Sequence, residues 1–225
     1  MHAGLGALAS CLSGPRRRAG PIDQPHQVVT LVAWIPLPAG LTRLPITSTD
    51  VTVEPLAPAP DDKDWMCVLD TACRDCGFDG AAITTADVAP QVRDTATAFA
   101  IVLQRPGARD RPQPDVWSVL EYGCHDLWRA FDERVCLILS QVDPLFPNWD
   151  QDATARAERY WTQEPVVVTA ELAAAAETVA RTFEGVDVDN WSRPGRRSNG
   201  SVFTVDSLAR CLLHELVHHL HDVGA

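Results

Sequence analysis

The chain lacks several things that would settle its class quickly. No apolar run approaches the roughly 18 to 20 residues that a bilayer-spanning helix needs. The most apolar early stretch, Val28 to Pro38, is interrupted by Pro36 and Pro38. The basic triplet Arg16, Arg17 and Arg18 lies well before it, so no signal peptide and no membrane partner is expected. There is a single lysine, Lys63, which leaves no good candidate for Schiff-base chemistry. No glycine-rich loop follows a strand pattern to cradle a nucleotide. Positive charge is scarce too: 19 Lys and Arg face 30 Asp and Glu, for a net charge of -11. Residues 1–61 balance Arg16, Arg17, Arg18 and Arg43 against Asp23, Asp50, Glu54 and Asp61, so everything after Asp61 carries the whole deficit. An acidic domain gains nothing from a phosphate backbone, and nucleic acid is excluded as a partner. The seven cysteines are scattered and odd in number, unlike a secreted disulfide framework. Free thiols in a reducing, cytoplasmic compartment are expected.

What is present falls into two parts. Nine of the seventeen prolines lie in the first sixty residues, where no period of 2 or 3.6 is sustained. Residues 1–61 therefore read as an extension of little fixed structure, ending in the linker Ala57 to Asp62. Residues 62–225 form the domain. Its first helix is expected from Asp87 to Gln104, with Val88, Val92, Thr95, Phe99 and Val102 on one face. The second starts at Ser118, whose Glu121 completes a capping box, and runs to Ser140 along Leu120, Cys124, Leu127, Phe131, Val135 and Ile138. The third opens at Pro165 and stops at Gly185, with Val168, Leu172, Ala175, Val179 and Phe183 as its seam. The fourth runs from near Thr204 to His221. Four such helices, with no convincing strand among them, predict an all-α four-helix bundle. The connections 141–164 and 185–203 are long enough to have a function or to cross the bundle.

The chemistry-bearing residues are few. His214 and His218 stand four apart on the last helix, so both imidazoles can reach one metal ion from one face. Leu208, Leu212, Leu216 and Leu220 take the opposite side of that helix. A solvated histidine-rich helix end, complementing the dipole, is the bland alternative. His219 points towards the leucines, as a packed residue would. His125, alone in another helix of the bundle, is the candidate third ligand, although a structural histidine fits the same position. Arg193, Arg196 and Arg197 form a basic cluster that could clamp a substrate carboxylate, against the alternative of ordinary surface pairing. Cys73 and Cys76 have the spacing of metal ligands, but no second such pair exists to complete a structural zinc, so they read as structural or unassigned thiols. Trp117, Trp128, Trp149, Trp161 and Trp191 read as packing residues.

On these residues the region from Asp64 to Val223 resembles the DinB-like (damage-inducible-B-like) superfamily of four-helix metal-binding proteins. The phrases that carry the likeness are Asp64-Trp65, Cys73 to Asp79, Asp115 to Ser118, Glu121 to His125, Pro147 to Asp152 and His214 to Leu220. The resemblance implies a divalent ion, zinc or nickel, held by His125, His214 and His218. It also implies kinship with mycothiol-dependent isomerases of the maleylpyruvate type. A small-molecule substrate, a low-molecular-weight thiol such as mycothiol as cofactor, and thiol S-transfer or isomerisation as the reaction would follow. A homodimer is compatible with the family, and no stripe here argues for one. Where relatives are expected to carry Asp, this chain has Glu215. His214-Glu215-x-x-His218 therefore matches the zinc-hydrolase motif in which the glutamate is a general base. A metal-stabilised bundle that binds without turnover is the third expectation.

Overall fold

The computed structural model describes residues 54–59, 65–125 and 127–225. The expected extension over 1–61 lies, apart from 54–59, outside the described residues. The α-helices are α1 (Val88–Val102), α2 (Val119–Cys124), α3 (Leu127–Ser140), α4 (Gln151–Ala157), α5 (Pro165–Glu184) and α6 (Val205–Asp222). Short 3-10 turns occupy Cys67–Leu69, Gly80–Ala82, Tyr160–Thr162 and Val188–Asn190.

The expected apolar stripes build one core. Val92, Phe99 and Val102 of α1 meet Val168, Leu172, Val179 and Phe183 of α5, and Phe131, Val135 and Ile138 of α3 join them with Leu208, Leu212 and Leu216 of α6. Both α1 and α3 pack against α5 and α6. Helices α1 and α3 thus face each other across the diagonal of a square bundle, as do α5 and α6. Consecutive helices that sit diagonally need connections that cross an end of the bundle, which accounts for part of the loop length seen in the sequence.

Besides the short helix α4, which lies inside the connection 141–164, two elements differ from expectation. The helix predicted over 118–140 is broken. Its start is as read: Ser118 Oγ accepts the Glu121 N–H, and the Glu121 carboxylate accepts the Ser118 N–H. At His125, however, the backbone turns extended (φ -60, ψ 112) before α3 begins. That turn lays the His125 ring between Trp117 and Trp149, and the apolar stripe continues in phase on both sides, so periodicity could not reveal it. The second difference is a three-stranded sheet made from the two long connections. Strand β1 (Leu145–Phe146) pairs parallel with β2 (Pro194–Arg197), and β2 pairs antiparallel with β3 (Val202–Thr204). Strands of two to four residues are too short for an alternation signal. Gly195 is required where β2 crosses α3, because a Cβ there would lie 2.6 Å from the Ile138 side chain.

The expectation that no cysteine is paired is met only in part: Cys67, Cys73, Cys76, Cys124 and Cys211 form no disulfide. Cys136 is disulfide-bonded.

Candidate metal centre

The last helix supplies the first half of the site. Thr204 caps it, its Oγ1 accepting the Ser207 N–H while Ser207 Oγ accepts the Thr204 N–H. This fixed start sets the rotation of everything that follows. The leucines take the core side, and His214 and His218 take the side away from it, yet both imidazoles are buried. What covers them is the segment before α1, which the sequence left without a role. Its turns at Cys67–Leu69 and Gly80–Ala82 pack on α6, and the Arg210 guanidinium donates to the Gly80 carbonyl. A Cβ at position 80 would lie 2.4 Å from the Val68 carbonyl oxygen, so glycine is what permits this seat.

Between those turns the chain makes a tight knuckle. The Cys73 N–H donates to the Phe78 carbonyl (2.8 Å), and the Gly77 N–H donates to the Cys73 carbonyl (3.0 Å). Gly77 takes a left-handed conformation, φ +75, that a side chain would strain. Burial raises the Cys76 thiol pKa, and the N–H groups of Phe78 and of Cys76 itself, bonded to its sulfur, work in the opposite direction. The knuckle turns both sulfurs towards α6. One donor atom from each of Cys73, Cys76, His214 and His218 lies within 4.8 Å of the other three. Cys73 Sγ is 3.5 Å from His218 Nδ1. On the opposite edge of that ring, Nε2 lies 3.6 Å from Asp222 Oδ1. An apolar wall closes the group: the Trp65 ring centroid is 5.3 Å from that of His214 and 4.9 Å from that of His218, and Phe78 stands 5.7 Å from His214.

His125 sits elsewhere. It stacks on Trp149 at 4.7 Å, meets Trp117 edge-on at 5.1 Å, and lies 5.3 Å from the His219 ring. It is not among the four grouped donors. Its Nδ1 has no hydrogen-bond partner among the described residues, and burial lowers its pKa to about 3, so the ring is neutral. His219 is buried and packs against Trp65, Tyr122 and His125. His221 is exposed.

Glu215 is half-buried on the flank of α6, where its charge acts on the Arg134 guanidinium of α3. The three loop arginines bind the neighbouring connection. Arg193 donates to the Gln141 carbonyl, Arg196 pairs with Asp143, and Arg197 Nε donates to Asn148 Oδ1. They tie β2 to the chain around β1.

Sequence reasoning had both halves of the four-donor group but not their meeting. The signal that could have joined them is Gly77 directly after Cys-x-x-Cys, the glycine that such a knuckle needs. A separation of 138 residues between Cys76 and His214 leaves no local pattern to connect the two pairs.

A helical bundle with a largely buried cysteine–histidine donor group defines the class: a four-helix protein with side chains that could hold a metal ion. The model of the DinB superfamily matches residues 91–223, and the chain belongs to that superfamily. Among solved structures the fold is similar to that of YfiT from Bacillus subtilis, with a TM-score of 0.53 and 15% identity. The match covers 63% of this chain and 88% of that one. YfiT is described as a probable metal-dependent hydrolase with an unusual four-helix bundle topology. No curated protein matches the chain in sequence. No helix among the described residues is long and apolar enough to cross a membrane.

Proposed function

We propose that this chain is a divalent-metal protein acting on a small molecule, with the ion held at the histidine pair of α6. The observation that carries the metal reading is the convergence of the His214 and His218 imidazoles with two cysteine sulfurs, all buried or half-buried, under a tryptophan wall. Neutral imidazoles and thiolates are the donor set that zinc and neighbouring transition metals select. An ion there would act as a Lewis acid towards a water or a small thiol that reached it. Thiol transfer or isomerisation with a mycothiol-type cofactor is the chemistry that the sequence resemblance favours. Hydrolysis is the chemistry named for the Bacillus subtilis neighbour, and Glu215 would be its general base.

One experiment separates these. The metal-loaded protein is assayed with a small thiol plus a model electrophile, and separately with activated esters and amides. Thiol transfer predicts conjugation that needs the metal and survives Glu215→Asp. Hydrolysis predicts thiol-independent cleavage that Glu215→Asp severely impairs. A second reading, a metal-stabilised bundle that binds without turnover, is favoured by a specific observation: four protein donors suffice to fill a tetrahedral shell. Metal binding with neither activity would support that reading.

A further inference from the structure

We infer that the ion is zinc, and that its four ligands are Cys73 Sγ, Cys76 Sγ and one ring nitrogen each of His214 and His218, with His125 outside the coordination shell. The inference rests on the metal reading above, decides which side chains serve it, and, because four protein ligands close the shell, sides with the binding-without-turnover reading of that site.

Four observations carry it. In a tetrahedral site with Zn–S near 2.3 Å and Zn–N near 2.0–2.1 Å, a sulfur and a nitrogen ligand lie about 3.6 Å apart. Cys73 Sγ and His218 Nδ1 are 3.5 Å apart, close to that figure, and all four donor atoms lie within 4.8 Å of one another. The knuckle geometry is the second. A left-handed glycine directly after the second cysteine closes a tight turn, held by the Cys73 N–H to Phe78 carbonyl and Gly77 N–H to Cys73 carbonyl bonds, that brings both sulfurs to the histidine pair. The third is the outer partner. Metal-bound histidines orient themselves by giving their other nitrogen a carboxylate or carbonyl, and Asp222, one turn beyond His218, faces that other nitrogen. The fourth is the position of His125. Its ring is committed to Trp117, Trp149 and His219, and its backbone has left the helix to put it there.

Two thiolates and two imidazoles complete zinc's preferred number of four, and soft sulfur donors discriminate against magnesium, calcium and manganese. Such a site links the segment before α1 to the last helix, two regions about 140 residues apart, as one staple. The segment 65–82 has few long elements of its own, and its seat on α6 would depend on that link.

The test uses the full chain, expressed with zinc supplied, and three preparations: wild type, Cys73→Ser with Cys76→Ser, and His125→Phe. Elemental analysis is expected to find one zinc per chain in the wild type and in His125→Phe, and none in the double cysteine variant. Replacement by cobalt(II) is expected to give intense thiolate-to-cobalt charge-transfer absorption in the first two. Should the cysteine variant fail to fold, the wild type alone still answers, by mass-mapped alkylation with and without zinc. Zinc is expected to protect Cys73 and Cys76 while Cys67 reacts equally in both. A cobalt spectrum without thiolate bands, or alkylation of Cys73 and Cys76 unaffected by zinc, overturns the inference. If His125→Phe loses the ion and the cysteine variant keeps it, the metal reading stands and this ligand set falls. If the wild type takes up no ion from any source, both fall.

Discussion

Two buried polar groups in this molecule make an instructive contrast. At one, Glu121 is nearly inaccessible at 1% exposure, but it is complete within itself. Arg111 grips its carboxylate through two bonds of 2.8 and 2.6 Å, and the Ser118 hydroxyl and N–H supply two more. Arg111 also donates to the Leu56 and Pro114 carbonyls, which fixes the chain entering α2. At the other, Cys73, Cys76, His214 and His218 bring together four groups whose shared talent is electron-pair donation. A buried acid that carries its own guanidinium needs nothing from solution. Four converging soft donors are the arrangement that recruits a cation. The first group is an architectural device and the second is a reason to look for an ion.

The contrast can be broken most decisively at the metal end. Chelation, or the paired cysteine substitution, is expected to lower stability by several kcal/mol and Tm by on the order of 10 °C, because a structural ion's binding energy is folding energy. Thermal melts with and without chelator read this directly, and an unchanged melt would mean that the donor group is inert.

Next in size is Arg111→Ala. It strands a buried carboxylate, and the cost expected for breaking such a pair is roughly 3–5 kcal/mol. Urea denaturation measures it. Burial pushes the Glu121 pKa up, but the bonds from Arg111 and Ser118 outweigh it and hold the carboxyl below its ordinary range. A depressed folded pKa gives stability that is whole above the unfolded value and is lost as pH falls through the folded one. The Arg111 effect should therefore shrink in acid, below about pH 4.

His125 gives a smaller effect with its own pH signature. Its folded pKa of about 3 lies below the ordinary 6.5, so the folded ring stays neutral while the unfolded chain takes up a proton. Stability is unaffected above pH 6.5 and falls as pH drops towards 3, by about 2 kcal/mol at pH 5. His125→Phe has no such proton to gain. The difference between the two stability profiles should appear only on the acid side, and a difference at pH 7.5 would show that the imidazole does more than pack.

Smallest is Arg196→Ala. Its bridge to Asp143 is largely exposed, and such pairs contribute about 0.2–1 kcal/mol. If Arg196 also holds a substrate carboxylate, the same variant should raise KM while stability barely moves.

How legible was all this in the residues? The apolar stripes of α1, α3, α5 and α6 were plain, because a 3.6-residue period over 14 to 20 residues has no competing interpretation. The Ser118–Glu121 capping box and the proline at the start of α5 were equally direct. The break at His125 was hidden because burying an aromatic ring beside Trp117 and Trp149 is a tertiary event. The buried state of the His214 and His218 face was hidden too. A helical wheel shows which side is not leucine, not what comes to cover it.

By itself, then, the sequence determined the helices, their inward faces and the pairing of His214 with His218, since all of these follow from spacing along one segment. Only the tertiary structure decided the partners of that pair. Whether Cys73 and Cys76 or His125 comes up beside His214 and His218 depends on how distant segments pack, and packing is settled by shape and burial across the whole core rather than by any local run of residues.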